Sequence, residues 1–322
     1  MIFIIAEHRT CKLQDITFQM LAKGRALADK TASALVAVVL EDGSQSYEHI
    51  LSSYADSILK VRDKCLSNFN SEIYQEVLCG LISKYKPLLT LIGHTSYGIE
   101  MASSLAVDLG FTFVSDCVDL DVKNHRVYAT RQIYGGKVNS LISLVGENCI
   151  ATIRPNVFKG AEKEGLHGII IESPFSIEKT TRRKRFIELA TTPTGDLDIT
   201  QADKIVSIGR GIKKEEDVKI IADMAESIGA VLACSRAIVD KGWLPVERQV
   251  GSSGRTVNAK LYIAIGISGA SQHLAGMSSC ETIVAVNEDP YAPILSIAHY
   301  AIIDDLYKVV PLLKDKLCSK RR

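Results

Sequence analysis

The sequence has no long apolar segment. Its longest apolar runs, residues 34–40 and 261–267 of the 322-residue chain, have the length of strands and are too short to cross a bilayer. The opening residues, MIFIIAEHRT, contain neither a basic segment nor an A-x-A-like cleavage site, so they predict a first strand and not a signal peptide. Together these features predict a cytoplasmic protein without membrane insertion.

An excess of charge of one sign is also missing. The chain has 38 Lys and Arg against 37 Asp and Glu, a net charge of +1, whereas a protein that binds nucleic acid usually carries a broad basic surface. The basic stretch KTTRRKR at 179–185 has no aromatic residue interleaved, which favours a solvated edge segment over a nucleic-acid patch. We therefore expect no nucleic-acid partner.

Clustered cysteines are absent. None of the eight cysteines forms a C-x-x-C pair, so a zinc ribbon or a ferredoxin-type iron–sulfur site, which needs neighbouring thiolates, is not predicted. A chain of this length buries a core of its own and does not need a disulfide framework. The cysteines are expected to be buried structural thiols, with no metal site.

Three nucleotide and hydrolase motifs are missing as well. The chain contains no Walker A loop, and no G-x-G-x-x-G fingerprint follows its first strand, which disfavours an ATPase or an ordinary dehydrogenase. A G-x-S-x-G nucleophile elbow is not completed around Ser268, because the fifth position is Ala270. No catalytic nucleophile is therefore expected.

Strand and helix patterns alternate in the first third of the chain, which predicts βαβ units and a parallel sheet. Strand patterns occupy 2–6, 34–40, 57–61 and 88–92, and helix patterns occupy 15–29, 71–83 and 98–109. From residue 111 to 155 the chain is rich in strand patterns, at 127–133, 138–144 and 149–153, with a turn at 134–137. We expect these strands to extend the first sheet in antiparallel fashion.

A second α/β pattern follows a polar region. The chain length favours two domains, and the segment TTPTGDLD at 191–198 is typical of a linker. Beyond it, strand patterns lie at 204–208, 230–233, 261–267 and 282–287, with helix patterns at 214–228 and 304–317. The predicted fold class is α/β with two Rossmann-like domains: an N-terminal domain at 1–190, a linker at 191–202 and a C-terminal domain at 203–322.

Three loops of the second domain directly follow predicted strands. They are Gly209-Arg210-Gly211, Ser235-Arg236 and the segment from Ser268 to His273. Ligands of an open parallel sheet bind outside the carboxyl ends of its strands, so these loops could share one crevice. Small residues let backbone N–H groups approach a phosphate, and arginines supply forked cationic donors. Taken singly each signal is weak, since Gly-Arg-Gly can be a plain tight turn and a lone histidine is more often structural.

In combination these loops resemble a known family. Between residues 206 and 311 the chain reads VSIGRGI, ACSRAIVDKGWLP, RQVGSSGRTVNAKLYIAIGISGASQHLAGM and TIVAVNEDPYAPILSIAHYAIIDDLYKVVP. These ordered blocks closely resemble the α subunit of electron transfer flavoproteins, including its FixB-like relatives. Over residues 1–157 the likeness rests on the strand–helix order, on LLTLIGHTSYGIEMASSLAVDLG and on TRQIYGGK. The resemblance implies a C-terminal FAD-binding domain and a heterodimer with a β subunit that carries a second nucleotide.

The resemblance also implies which residues hold the FAD. They are Arg210 on the phosphate side; Ser235 and Arg236, with the guanidinium over the flavin ring; Val250, Gly251, Ser252 and Ser253 beside the isoalloxazine edge; Ser268, Gly269, Ala270, Ser271, Gln272 and His273 along the pyrophosphate and ribityl chain; and Asn287, Asp305 and Leu306 around the adenosine. His273 is expected to face the C2 carbonyl of the flavin. A cation at Arg236 stabilises added electron density and so raises the flavin potential.

The sequence departs from the family pattern in one loop. Ser252 and Ser253 stand where many members have Gln-Thr. Ser253 keeps a hydroxyl that could donate to flavin N5 or O4, whereas Ser252 has no amide to offer.

The implied function is electron transfer through FAD without substrate chemistry of its own. The expected partners are the β subunit and an acyl-CoA dehydrogenase or another flavin dehydrogenase. A role in an electron-bifurcating complex with NADH and a ferredoxin or flavodoxin stays open, because it depends on the nucleotide of the β subunit. A universal-stress-like nucleotide sensor is the alternative, but it leaves Arg236 and the QVGSSGR loop unexplained. A flavoenzyme acting on its own substrate would have His273 as its one clear acid–base candidate.

Overall fold

The computed structural model describes residues 1–124, 126–134, 136, 138–162, 165–175, 183–188 and 198–319, except the side chains at 201 and 317–319. The chain divides into two compact units, one of Met1–Ile133 with Val138–Leu189 and the other of Tyr134–Lys137 with Ala190–Arg322. Most of the predicted linker, two residues of the predicted 134–137 turn and residues 179–182 of the basic stretch lie outside the described residues.

The N-terminal unit alternates strands and helices as predicted. Its strands are β1 (Ile2–Ile5), β2 (His8–Arg9), β3 (Lys12–Leu13), β4 (Leu35–Glu41), β5 (Ser57–Arg62), β6 (Leu89–Gly93), β7 (Thr112–Lys123), β8 (Arg126–Ile133), β9 (Val138–Ser143), β10 (Cys149–Ile153) and β11 (Ile169–Glu172). Its helices are α1 (Asp15–Thr31), α2 (Tyr47–Leu51), α3 (Ser71–Tyr85) and α4 (Ser96–Leu109).

Nine of these strands form one sheet in the order β11-β5-β4-β1-β6-β10-β7-β8-β9. The pairs are parallel except where β8 meets β7 and β9. The prediction of a parallel sheet extended by antiparallel strands is confirmed. One strand differs: β10, expected in the antiparallel extension, is parallel to both β6 and β7 and lies inside the sheet. All five of its residues are buried, as a strand covered on both faces requires.

Helices cover both faces of the parallel part of this sheet. The side chain of Asn70 caps α3 and that of Thr95 caps α4, so both helices begin where their free N–H groups find an acceptor. Helix α4 lies very close to β6, because a Cβ at Gly98 would stand 1.9 Å from the carbonyl oxygen of Gly93. Only glycine permits this approach.

Two cations of the predicted basic stretch pair with helices of the N-terminal unit. The guanidinium of Arg183 contacts the carboxylate of Glu72 at 3.2 Å, and the ammonium of Lys184 contacts Glu100 and Ser71. Both cations are exposed, and each is paired with a carboxylate.

The C-terminal unit contains a single parallel sheet. Its strands are β12 (Lys204–Ile208), β13 (Val231–Cys234), β14 (Leu261–Ile265), β15 (Ile283–Asn287) and β16 (Tyr300–Ile303), in the order β13-β12-β14-β15-β16. Its helices are α5 (Val218–Ser227), α6 (Arg236–Asp240), α7 (Ser271–Ala275) and α8 (Leu306–Ser319). The predicted α/β fold class is confirmed for both units.

The two faces of the second sheet are covered differently. On one face α5 and α8 contribute apolar side chains such as Met224 and Val310 to the core. On the other face the core is closed mainly by connecting segments, with Val250, Ile267 and Ile294 among the buried residues. The segments that carry the predicted FAD residues are therefore part of the hydrophobic core, which restricts their motion. No helix in the described part of the chain has the length and apolarity that a bilayer crossing requires.

Candidate functional site

All five strands of the C-terminal sheet run in the same direction, so their carboxyl ends share one edge. Five of the predicted segments lie at or just beyond the ends of these strands. The sixth, which begins at Val250, is tied to the same edge by a hydrogen bond of 2.9 Å from the Val250 N–H to the carbonyl of Cys234 at the end of β13. The structure thus brings the predicted segments to one edge, among them the three loops that the sequence analysis expected to share a crevice.

The Gly-Arg-Gly turn packs directly on the loop after β14. The N–H groups of Gly209 and Gly211 donate to the carbonyls of Ile265 and Gly266, both at 2.9 Å. A Cβ at Gly209 would stand 2.4 Å from the carbonyl oxygen of Gly266, so the approach requires glycine. The side chain of Arg210 is exposed between the two glycines, where it can meet a phosphate.

The segment after β14 makes a similarly tight turn. Gly269 has a φ of +87°, and a Cβ there would stand 2.4 Å from the backbone nitrogen of Ile294. The carbonyl of Ser268 accepts a hydrogen bond from that same nitrogen at 3.1 Å, which fixes the turn. Ala270 precedes the short helix α7, which carries Ser271 and Gln272. At this strand end the backbone of residues 268–270 therefore packs directly against the backbone of Ile294.

Ser235 and Arg236 lie at the end of β13. The N–H of Ser235 donates to the carbonyl of Ile208 at 2.9 Å, which places this loop beside the Gly-Arg-Gly turn. The Arg236 side chain is 72% exposed, and its Nε lies 3.5 Å from a carboxylate oxygen of Asp240. Such an exposed pair is weak, so the guanidinium remains available to a ligand.

The loop of Gly251, Ser252 and Ser253 is held against the segment that carries α7. The N–H of Ser252 donates to the carbonyl of Gln272 at 2.8 Å. A Cβ at Gly276 would stand 2.5 Å from the backbone of Gly251, whose own φ is +145°. Both serine side chains are exposed. The two segments predicted to flank the flavin are therefore neighbours.

His273 is buried at this junction, with 5% of its surface exposed. Its Nε2 lies 3.0 Å from the hydroxyl of Tyr262 on β14. Its Nδ1 is buried and has no hydrogen-bond partner of acceptable geometry among the described residues. Burial lowers the pKa of His273 to about 4, and the nearby Val250 backbone opposes the shift. The imidazole is neutral at physiological pH, and its Nδ1 has no well-formed hydrogen bond among the described residues.

Asn287, Asp305 and Leu306 complete the set at the ends of β15 and β16. The amide of Asn287 donates to the carbonyl of Ile267 at 2.8 Å, and a carboxylate oxygen of Asp305 accepts from the N–H of Tyr307 at 2.9 Å. Leu306 is buried in the core. In the structure these three residues stabilise the loops and the core at this edge.

Comparison with known proteins agrees with this architecture. Residues 2–173 match the model of the electron transfer flavoprotein domain, and residues 198–278 match that of the electron transfer flavoprotein FAD-binding domain. The electron transfer flavoprotein subunit alpha of Thermoanaerobacterium thermosaccharolyticum is 37% identical, over 98% of this chain and 97% of its own.

Two further relatives show similar coverage. The corresponding subunit of Bacillus subtilis is 35% identical over 98% of this chain and 96% of its own, and Protein FixB of Clostridium saccharobutylicum is 32% identical over 97% and 94%. This chain belongs to the electron transfer flavoprotein alpha subunit family. The predicted family is confirmed, and the prediction of FAD as cofactor is confirmed by the matched FAD-binding domain. The general function of this alpha-subunit family member is electron transfer.

The residues of this alpha-subunit family member fit an FAD. The glycines at 209, 211 and 269 let the loops at the strand ends pack backbone against backbone. The guanidiniums of Arg210 and Arg236 are exposed, and the buried Nδ1 of His273 has no hydrogen bond of acceptable geometry among the described residues. Among the described residues, no group of three or more His, Cys, Asp or Glu is arranged to hold a metal ion.

Two further residues belong to the site that the sequence analysis did not single out. Tyr262 contacts His273, and the amide of Gln249 contacts the hydroxyl of Ser253 at 3.0 Å. The sequence did contain a signal for Tyr262, because a tyrosine inside the apolar strand LYIAI has a hydroxyl that must find a partner when it is buried. Nothing in the sequence distinguishes Gln249 from a solvent-exposed glutamine.

Proposed function

We propose that this chain holds one FAD at the carboxyl edge of its C-terminal sheet and, together with an electron transfer flavoprotein β subunit, passes electrons from a flavin dehydrogenase to a redox acceptor. The observation that carries the proposal is the buried Nδ1 of His273, which has no hydrogen bond of acceptable geometry among the described residues and lies at the junction of the glycine-rich loops. A buried polar atom without a partner is costly, and a cofactor group removes that cost.

Six of the predicted residues have a stated role in this proposal. The exposed guanidinium of Arg210 and the backbone N–H groups around Ser268 and Gly269 bind phosphates. His273 faces the C2 carbonyl of the flavin, Ser253 its N5 or O4 edge, and Arg236 its ring. When bound, FAD supplies the reversible redox chemistry, and the protein residues orient it and set its charge environment.

The N-terminal domain, for which we propose residues 1–190, serves as the platform for the β subunit. Its sheet is extended by β8 and β9; Leu141 on β9 is 69% exposed, and Val145, in the loop that follows β9, is 72% exposed. Exposed apolar side chains on the outer part of a sheet suit a permanent interface, which typically buries more than about 2,000 Å². A linker at 191–202 and an FAD domain at 203–322 complete the proposed division.

The electron donor in this proposal is an acyl-CoA dehydrogenase or another flavin dehydrogenase. Electron bifurcation with NADH and a ferredoxin or flavodoxin is an extension of the proposal, and it requires a β subunit that binds a second FAD. The flavin content of the heterodimer distinguishes a simple carrier from a bifurcating complex.

Co-expression with the β subunit tests the proposal. We expect a 1:1 heterodimer by light scattering, with a flavin absorption spectrum and FAD released on denaturation. The His273→Gln variant should purify as the same heterodimer with weaker FAD binding. A flavin-loaded monomer that exchanges electrons at native rates without a second chain would contradict the proposed partner, and unchanged FAD affinity in His273→Gln would contradict the proposed site.

A further inference from the structure

Tyr262 and His273 form a buried polar pair inside the core of the C-terminal unit. Tyr262, the second residue of β14, is 0% exposed, and its hydroxyl lies 3.0 Å from Nε2 of His273. Burying a hydroxyl without a hydrogen bond is costly. The contact with His273 therefore stabilises the Tyr262 hydroxyl in the core.

The hydrogen bond can run in either direction. A neutral imidazole has one N–H donor and one acceptor nitrogen. If the tyrosine O–H donates to Nε2 of His273, the ring hydrogen resides on Nδ1. If Nε2–H donates to the tyrosine oxygen, Nδ1 is an acceptor. The direction of this one bond thus decides what His273 offers to a ligand.

Groups on the far side of the histidine ring require a donor. The Val250 backbone beside the ring raises the pKa of His273, as an acceptor does. In the proposed function, the other group that meets Nδ1 is a flavin carbonyl oxygen, which can only accept. If Nδ1 carried no hydrogen, its lone pair would be repelled by both the Val250 backbone acceptor and the flavin carbonyl. An N–H at Nδ1 is attracted by both.

A third side chain is compatible with the same direction. Ser207 lies on the adjacent strand β12, and its buried hydroxyl has no full hydrogen bond among the described residues. Burial raises the pKa of Tyr262, and the Ser207 hydroxyl opposes that shift, so it lies close to the phenol oxygen. If Tyr262 donates its hydrogen to His273, its oxygen is free to accept one from Ser207.

We propose that Tyr262 is a positioning residue that holds His273 in the Nδ1–H tautomer, with that hydrogen directed at an acceptor of the cofactor. This inference rests on the proposed function, since it concerns how the same site presents a donor to FAD. Tyr262 does not contact the cofactor in this scheme and acts through the imidazole.

The test uses the FAD-loaded heterodimer and its Tyr262→Phe variant, which keeps the aromatic packing and removes the hydroxyl. Nitrogen-15 NMR of the histidine ring reports the tautomer directly. We expect Nδ1–H in the wild type and a mixture of tautomers in Tyr262→Phe, with the FAD dissociation constant raised about fivefold, the equivalent of one hydrogen bond of about 1 kcal/mol. Tyr74→Phe, which removes a hydroxyl from a buried tyrosine of the N-terminal unit, should change neither the His273 tautomer nor the FAD dissociation constant.

Two results overturn the inference. An Nε2–H tautomer in the wild type would show that Tyr262 accepts, and this result does not depend on whether any variant folds. An unchanged tautomer and FAD affinity in Tyr262→Phe would show that the hydroxyl is dispensable. Failure of the proposed function looks different, because His273→Gln would then bind FAD as tightly as the wild type. If His273→Gln weakens FAD binding and Tyr262→Phe does not, the proposed role of Tyr262 is contradicted and the proposed function is not.

Discussion

The side-chain amide of Gln249 donates a hydrogen bond of 3.0 Å to the hydroxyl oxygen of Ser253. Gln249 is 4% exposed, whereas Ser253 lies at the exposed face of the candidate site. Because the amide N–H donates, the hydroxyl hydrogen of Ser253 stays available for a ligand. A threonine at this position would have its χ1 angle restricted by its own β-branch, but a serine rotates more freely. Through its hydrogen bond, Gln249 restrains the χ1 angle of Ser253 in place of the missing β-branch.

The direction of this hydrogen bond predicts outcomes of different size for two substitutions. In Gln249→Glu, the carboxylate accepts the hydroxyl hydrogen of Ser253 and withdraws it from the flavin, so FAD binding should weaken by about fivefold or more. In Gln249→Met, the restraint is lost without a competing acceptor, and the loss should be smaller. Fluorescence titration with FAD measures the FAD affinity of both variants. If Gln249→Glu weakens FAD binding equally in a Ser253→Ala background, the effect does not pass through Ser253.

Arg236 is predicted to set the flavin potential. Its exposed guanidinium has only a weak partner in Asp240, and placed near the ring it stabilises the reduced form by about 1–3 kcal/mol, the scale of a charge-assisted hydrogen bond. Arg236→Ala should therefore lower the one-electron potential in a potentiometric titration. Arg210→Ala, which affects the phosphate end, should weaken FAD binding and leave the potential unchanged. Equal potentials in the wild type and Arg236→Ala would refute the assignment.

A close backbone approach at Gly269 is predicted to be essential for the site. Gly269 and Gly242 both have a positive φ, +87° and +73°, but a Cβ at Gly269 would meet Ile294 at 2.4 Å and one at Gly242 would meet nothing within 4 Å. Gly269→Ala should abolish FAD retention, whereas Gly242→Ala should carry only the conformational cost of the positive φ, about 1 kcal/mol. Comparable FAD content in both purified variants would contradict this.

The pKa of His273 predicts a pH dependence of stability. In the unfolded chain a histidine binds a proton near pH 6.5, whereas in the folded chain burial lowers the pKa of His273 to about 4. Between these values the unfolded state binds more protons, so stability falls as the pH decreases from 6.5 towards 4, by roughly 3 kcal/mol at 1.36 kcal/mol per pH unit. Urea unfolding across this pH range, followed by the fluorescence of Trp243, the single tryptophan, measures this loss of stability. His273→Gln should lose correspondingly less stability over the same range, and an identical loss would contradict the assignment.

The sequence predicted the parallel sheets and the edge where the candidate site lies, because strands of buried residues and the loops after them have strong local signals. It did not predict β16, a short strand of four residues at the edge of the sheet whose Tyr300 and Ile303 are exposed. The helices α6 and α7, with five residues each, are too short for a periodicity to be visible. The inward position of β10 depends on sheet pairing that no local pattern encodes.

Within the site, local sequence indicated the residues on loops and not those that support them. The glycines and arginines after strands are visible as motifs, since their residue types are unusual at those positions. Tyr262 and Gln249 act through contacts with residues 11 and 4 positions away that depend on how the loops fold back. Their roles follow from tertiary packing and became visible only in the structure.

Hydrogen exchange of the heterodimer before and after removal of FAD tests the central claim most directly. The account predicts that FAD protects backbone amides in four segments at the strand ends of the C-terminal unit: 209–212, 235–236, 250–255 and 268–273. Protection confined to residues 1–175, with these segments exchanging equally in both states, would contradict it.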